Sequence, residues 1–335
     1  MTMRNVRLPE PLGSTSALGI GCASLGSRIS RRAGLSALAR AHDAGIRWFD
    51  VAPSYGDGEA ESLLGTFVQG RRSELHICTK VGILPARSSP LLHMAKPVMR
   101  SIVAAFPAIR GHVARVRPAP VHQRVDGRMV MSSINASLAR LRCDHVDVLA
   151  LHDASPEDVV REDVLRALER AVSDGKARAV AVASSGEACR AAVNEALPYA
   201  LVQFANNPFE RTLEDLRAAG GRPVGFVTHS VFGTSGALQR LERILAASPD
   251  QRAVLTGAGY NGPIGRMASD FLADYAFSTN SSGVTLVSSF GSAHLATNVE
   301  RVAAPPPRAF VLDLATHLLK SPADHASATS GVWTT

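Results

Sequence analysis

An alternation of strand-like and helix-like stretches runs along the chain and limits its fold more than any other feature. ALGIGCAS (17–24) opens it, followed by an amphipathic run at 31–44 with Leu35, Leu38, Ala39 and His42 at helical spacing. Strand 46–50, helix 58–69 and strand 74–80 come next. After a break they are followed by helix 129–141 and strand 146–151. Helix 156–173 starts with Ser155 as N-cap and Pro156 at its first position. The pattern continues as strand 177–183, helix 186–196, strand 199–204, helix 212–219, strand 222–229, helix 264–278, strand 283–289 and helix 292–302. Runs such as ARAVAVA and VDVLALH are apolar on both faces, as strands of an all-parallel, fully covered sheet must be. Eight strands, each followed by a helix and with no linker between units, predict one (β/α)8 TIM barrel over residues 1–320. A doubly wound sheet is the alternative. MRNVRL and STS are placed as a hairpin across the barrel floor, and the polar stretch 321–335 as a flexible tail.

Four reactive side chains fall at or just past strand exits: Asp50, Tyr55, Lys80 and His152. Barrel active sites form at the carboxyl ends of the strands, so the topology gathers these four at one mouth. Their chemistry is coherent. A phenol with an ordinary pKa near ~10 is a poor acid or base at neutral pH. An adjacent ammonium stabilises phenolate and lowers that value, and a carboxylate holds the ammonium charged and oriented. A neutral imidazole can orient a carbonyl oxygen by hydrogen bonding. A lone Asp–Lys pair or a lone strand-end His is more often structural; it is the joint pattern that points to catalysis.

Composition narrows the class. The chain has 335 residues, 46% of them apolar and 5% aromatic, enough for a large α/β core. No apolar run reaches the ~18 residues of a spanning helix, and MTMRNVRLPEPLG lacks a secretory h-region. The four cysteines (22, 78, 143, 189) contain no CxxC pair. They read as buried free thiols in a reducing cytoplasm, with no metal site expected. The net charge of +7 would suggest nucleic acid, but it is concentrated in one place. Residues 81–125 hold Arg87, Lys96, Arg100, Arg110, Arg115, Arg117 and Arg124 with no Asp or Glu. Removing these seven from the 36 basic residues leaves 29, equal to the 29 acidic ones. This long basic insertion after strand 3 has one aromatic, Phe106, and no nucleic-acid-binding motif. Its six prolines exclude long helices, but PVMRSIVAAFP allows one short helix with Val98, Met99, Ile102, Val103 and Phe106 on one face. That places it as a lid over the mouth. A solvated loop, a lid attracting an anionic substrate or cofactor phosphates, and a membrane-surface or partner-binding element remain open.

GIRWFDVAPSYGDGEAESLLG, ICTKVG and VDVLALHD together resemble the aldo-keto reductase superfamily, over most of the chain apart from 81–125 and the tail. The resemblance implies hydride transfer between a nicotinamide cofactor and a small carbonyl or sugar substrate, neutral or anionic. Tyr55 would be the general acid, Asp50 and Lys80 its tuners, and His152 the group orienting the carbonyl. It also implies a cofactor pocket. Gly21 and Cys22, in GIGCASLG, would let backbone approach at the mouth; Ser184, Ser185 and Gln203 would meet the carboxamide. His229, with Ser230 beside it, would stand where the family usually stacks an aromatic ring on nicotinamide. Ser288, Ser289, His294 and Asn298 would meet the adenosine phosphate end. Ser185 departs from the family's Asn, and His294 stands where many NADPH-using members carry Arg. NADP(H) is the favoured cofactor, with NAD(H) the alternative. Two other readings stay open: oxidation of an aldose or alcohol with NAD⁺, and a cofactor-sensing regulatory subunit without turnover.

Overall fold

The computed structural model describes residues 3–85, 121–122, 124–193, 197–221, 223–233, 236–288 and 290–319. Twelve strands are described. β1 (Asn5–Arg7) and β2 (Ser14–Ser16) form an antiparallel hairpin. β3 (Leu18–Gly21), β4 (Trp48–Asp50), β5 (His76–Val81), β8 (Val146–His152), β9 (Ala177–Ala183), β10 (Leu201–Ala205), β11 (Gly225–His229) and β12 (Val284–Val287) close a parallel barrel in that order. Between β5 and β8, β6 (Ile83–Leu84) and β7 (Val121–His122) make a short antiparallel ribbon.

The barrel strands form where both faces are largely covered. Val148, Leu149, Ala150 and Leu151 of β8 are all fully buried, which is why that segment reads as a continuous apolar run. Local signals set the helices between strands. Ser30 Oγ accepts from Ala33 N at the start of helix Arg31–Asp43, and Asp126 Oδ1 accepts from Met129 N at 2.7 Å at the start of helix Gly127–Leu141. Ser155 caps as expected, but the predicted helix 156–173 is broken into Pro156–Val159 and Glu162–Ser173. The buried Tyr199 hydroxyl donates to Val159 O at 2.7 Å. Arg161 is extended at the break and bridges Asp158 and Asp163.

The floor hairpin lies where the sequence places it. Arg178, at the start of β9, donates to Pro11 O, and His76, at the start of β5, bonds Leu12 O. A Cβ on Gly225, at the start of β11, would touch Pro9. These are all amino-terminal strand ends, so the hairpin closes the end opposite the mouth formed by the carboxyl ends of the strands. The sequence reading omits three helices: Ala237–Ala247, Pro249–Gly257 and Arg308–Leu319. The last covers helix Ile264–Thr279, which explains why that helix is buried on nearly every side. The apolar lid helix and most of the basic insertion lie outside the described residues, as does the tail. What is described is the insertion's root: its two ends return to the ribbon Ile83↔His122 and Leu84↔Val121.

One buried polar junction supports β5 from outside the barrel. Glu61, 1% exposed, accepts from Thr79 Oγ1 and from Arg140 Nε, each at 2.6 Å. It thus ties the residue before Lys80 to two helices. Replacing Glu61 with Ala leaves Thr79 and Arg140 without their acceptor, so the unfolding free energy should drop by about 2–3 kcal/mol in a urea titration. Glu61→Gln, which can still bond both partners, should lose clearly less.

Candidate active site

The mouth assembles three of the four expected side chains in direct contact. Asp50 ends β4 and pairs in register with Cys78, while Lys80 pairs with Ala150, so β4 and β5 deliver both charges to the interior. Lys80 is 1% exposed and Asp50 2%; their ammonium and carboxylate form a salt bridge. Lys80 Nζ also donates to Val51 O at 3.3 Å and to Tyr55 OH at 3.3 Å. Burying two charges is tolerable only because each satisfies the other and the lysine finds further acceptors. The fourth residue, His152, ends β8, and its ring meets that of Tyr55 edge-on, centroids 5.7 Å apart.

Tyr55 is held by an unusual turn. Gly56, Asp57 and Gly58 take φ values of 61°, 58° and 89° in succession. A Cβ on Gly56 would lie 1.6 Å from Leu25 O, so only glycine fits there. Gly56 N donates to Ala23 O at 3.2 Å, and Tyr55 N to Ala52 O at 3.1 Å. The loop after β4 is thereby pinned on the loop after β3, with Tyr55 facing Lys80.

Electrostatics differ from the sequence expectation in one respect. Burial pushes the Tyr55 phenol up, Lys80 pulls it down and Asp50 pushes it up again, leaving it at about 12. The ammonium therefore offsets desolvation without overcoming it. For Lys80, burial disfavours the ammonium, yet Asp50 and then Tyr55 outweigh it, and its pKa rises. His229 is driven down to about 4 by burial, with Asp50 raising it and Lys80 lowering it further. It is a neutral imidazole at working pH, its Nδ1 2.9 Å from Ser230 Oγ.

The expected cofactor residues fall into two groups. Near the tetrad, Ser184 N donates to Gln203 O at 3.1 Å, and Ser184 Oγ donates to Ala154 O at 2.7 Å. Gln203 is buried on β10, and His229 ends the neighbouring strand. Ser185 is exposed, and its hydroxyl instead caps helix Gly186–Ala192. Gly21 ends β3 against β12: Ser288 Oγ donates to Gly21 O at 3.1 Å, and a Cβ on Gly21 would press on the same hydroxyl. Cys22 is fully buried beside Asp50, its backbone N–H on Asp50 O at 2.8 Å.

The second group lines a cleft of about 900 Å³ that runs outward from Ser288 and includes His294 and Asn298. Ser289 lies outside the described residues. Arg28, Phe232, Arg266, Asp270 and Arg301 also line the cleft and are absent from the sequence reading. The four-residue spacing of Arg266 and Asp270 on helix Ile264–Thr279 is a sequence signal for those two alone. This donor set fits a nicotinamide dinucleotide: neutral amide and hydroxyl groups beside the tetrad, and a roomy cleft with cationic walls at the far end. Among the described residues no cluster of three or more His, Cys, Asp or Glu could hold a metal ion, and no helix is long and apolar enough to cross a membrane.

Comparison with known proteins gives the family and agrees with the fold. A curated D-threo-aldose 1-dehydrogenase from Pseudomonas sp. is 32% identical over 240 residues, 68% of each chain. The chain spans about half the length of an uncharacterized Bacillus subtilis oxidoreductase that is 25% identical over 182 residues. A glycerol dehydrogenase from Gluconobacter oxydans has the same fold, with a TM-score of 0.69 at 18% identity, covering 95% of this chain and 96% of that one. An aldo-keto reductase from Klebsiella pneumoniae, solved in complex with NADPH, matches with a TM-score of 0.65 at 17% identity, covering 97% and 98%. The profile of the Aldo/keto reductase family fits residues 17–304, and the chain is a member of that family of oxidoreductases.

Proposed function

We propose that this protein transfers a hydride between NADP(H) and a small carbonyl/alcohol pair, with Tyr55 exchanging the proton. The observation that carries this reading is the 3.3 Å contact between Tyr55 OH and a buried ammonium that is itself fixed by Asp50. The bound nicotinamide would supply the hydride to the carbonyl carbon, or accept it in the reverse direction. In reduction, Tyr55 gives its proton to the carbonyl oxygen as negative charge develops there, completing the alcohol. The phenolate left behind faces Lys80, which is what the lysine is placed to stabilise. His152, edge-on to Tyr55, orients the carbonyl oxygen toward that proton. A phenol at about 12 suits this direction, because it stays protonated and ready to donate throughout the neutral range.

Ser184 and Gln203 would hold the carboxamide, and His229 would underlie the ring. The similarity to D-threo-aldose 1-dehydrogenase favours a second reading, in which the same residues run the reaction as oxidation of an aldose. An intact tetrad speaks against a purely regulatory role. Four free thiols, three of them buried, fit the reducing cytoplasm.

Three measurements test this assignment. Tyr55→Phe should bind NADPH as the parent does but lose roughly 10²–10⁴ in kcat with aldehydes or sugars; full activity in that variant would end the proposal. His229→Tyr should tighten NADPH binding by about 3- to 10-fold, since a larger ring offers more stacking surface. Phenolate formation can be followed near 295 nm. All four tyrosines are pushed up, chiefly by burial, Tyr55 and Tyr275 to about 12. The native protein should therefore show little phenolate at about pH 10.5, where the urea-unfolded chain is more than half ionised. Between about pH 10 and pH 12 the folded chain retains protons that the unfolded chain releases. The stability tied to these groups is complete below about pH 10 and is lost as the pH climbs toward 12.

A further inference from the structure

The cleft beyond Ser288 carries a cation that nothing among the described residues neutralises. Of its charged wall residues, Asp270 is matched: Arg301 reaches its Oδ2 at 2.6 Å and Arg266 at 3.6 Å. Arg301 is committed on its other side to Asp274 at 2.8 Å. Arg28 is different. It stands on the loop after β3, exposed, and has no carboxylate or hydrogen-bond partner among the described residues. An arginine left unpaired in a concave wall is a ready-made receptor for an anion, and its planar fork suits the oxygens of a phosphate.

The position of the cleft says which phosphate. Ser288 joins it to the mouth through its bond to Gly21 O. A dinucleotide with its nicotinamide end among Ser184, Gln203 and His229 therefore extends past Ser288, placing its adenosine end in the cleft. Arg28 lies on the loop between Gly21 and helix Arg31–Asp43 and lines that cleft with Ser288, His294 and Asn298. We propose that Arg28 pairs with the adenosine 2′-phosphate of NADP(H) and so determines the choice of the phosphorylated nucleotide. The assignment rests on the nicotinamide reading of the site. Arg266, on the facing helix, is half-occupied by Asp270 and plays the lesser part.

The test is equilibrium binding of NADPH and NADH, followed by nucleotide fluorescence, for the parent protein, Arg28→Gln and Arg28→Lys. Removing a charge-assisted bidentate contact should raise the Kd for NADPH by about 10- to 100-fold and leave that for NADH within about two-fold. Arg28→Lys, which keeps the charge without the fork, should fall between. Unchanged NADH binding also certifies that the variant is folded. If Arg28→Gln weakens both nucleotides equally, the arginine serves the pyrophosphate common to both, and the assignment is wrong. If neither affinity changes, or if the parent protein binds NADH more tightly than NADPH, the assignment is also wrong while the nicotinamide reading survives. A parent protein that binds neither nucleotide would overturn that reading and the assignment together.

Discussion

The buried salt bridge between Lys80 and Asp50 is the interaction on which the rest of the site depends. Two charges withdrawn from water in the interior of a barrel are costly unless each finds the other. Here the pair is reached from adjacent strands, and parallel registration of β4 with β5 sets where its two members stand. The ammonium then has donor capacity to spare, used on Val51 O and on Tyr55 OH. Tyr55 is positioned from the opposite direction, by a left-handed turn that fits under Leu25 only because residue 56 is glycine. The Tyr55–Lys80 contact thus arises where an electrostatic requirement from inside the barrel meets a steric requirement from its rim.

The same pair sets the working state of the neighbouring groups. It offsets part of the desolvation of Tyr55 and acts on His229 with opposing signs from its two members. The phenol remains a phenol and the imidazole remains neutral. A site with one fixed ion pair and otherwise uncharged donors can receive a cationic or a neutral nicotinamide ring without forcing a proton to move beforehand.

Much of this was legible in the sequence because the relevant signals are local. Apolar strands ending in Asp, Lys and His gave both the barrel and the tetrad, and Ser155–Pro156 marked a true helix start. The same signature, Ser248–Pro249, marks the unread helix Pro249–Gly257, where Ser248 Oγ accepts from Gln251 N. Helix Arg308–Leu319 was harder to read, since its partner is another helix of the outer layer and not a strand. The net direction of the Tyr55 shift could not be read from residue types, because burial and charge act oppositely and only packing says which is larger. Arg28 was invisible for a related reason: an arginine in a polar loop is unremarkable until the facing wall is known to contain a carboxylate already claimed by others.

The ribbon joining Ile83–Leu84 to Val121–His122 has a consequence for how such a protein can diversify. Ile83–Leu84 and Val121–His122 pair at one point, so the length of chain between them enters the energetics of the scaffold through the closure of that ribbon. Closure entropy grows slowly with length, by about 0.6 kcal/mol per doubling. A change in the length of chain between these anchors therefore costs the ribbon little in closure entropy. Pro85 sits against Gly58, three residues past Tyr55, so the first of the two anchors stands beside the turn that holds that phenol. The ribbon works as a socket: its own pairing stays the same whatever length of chain it closes.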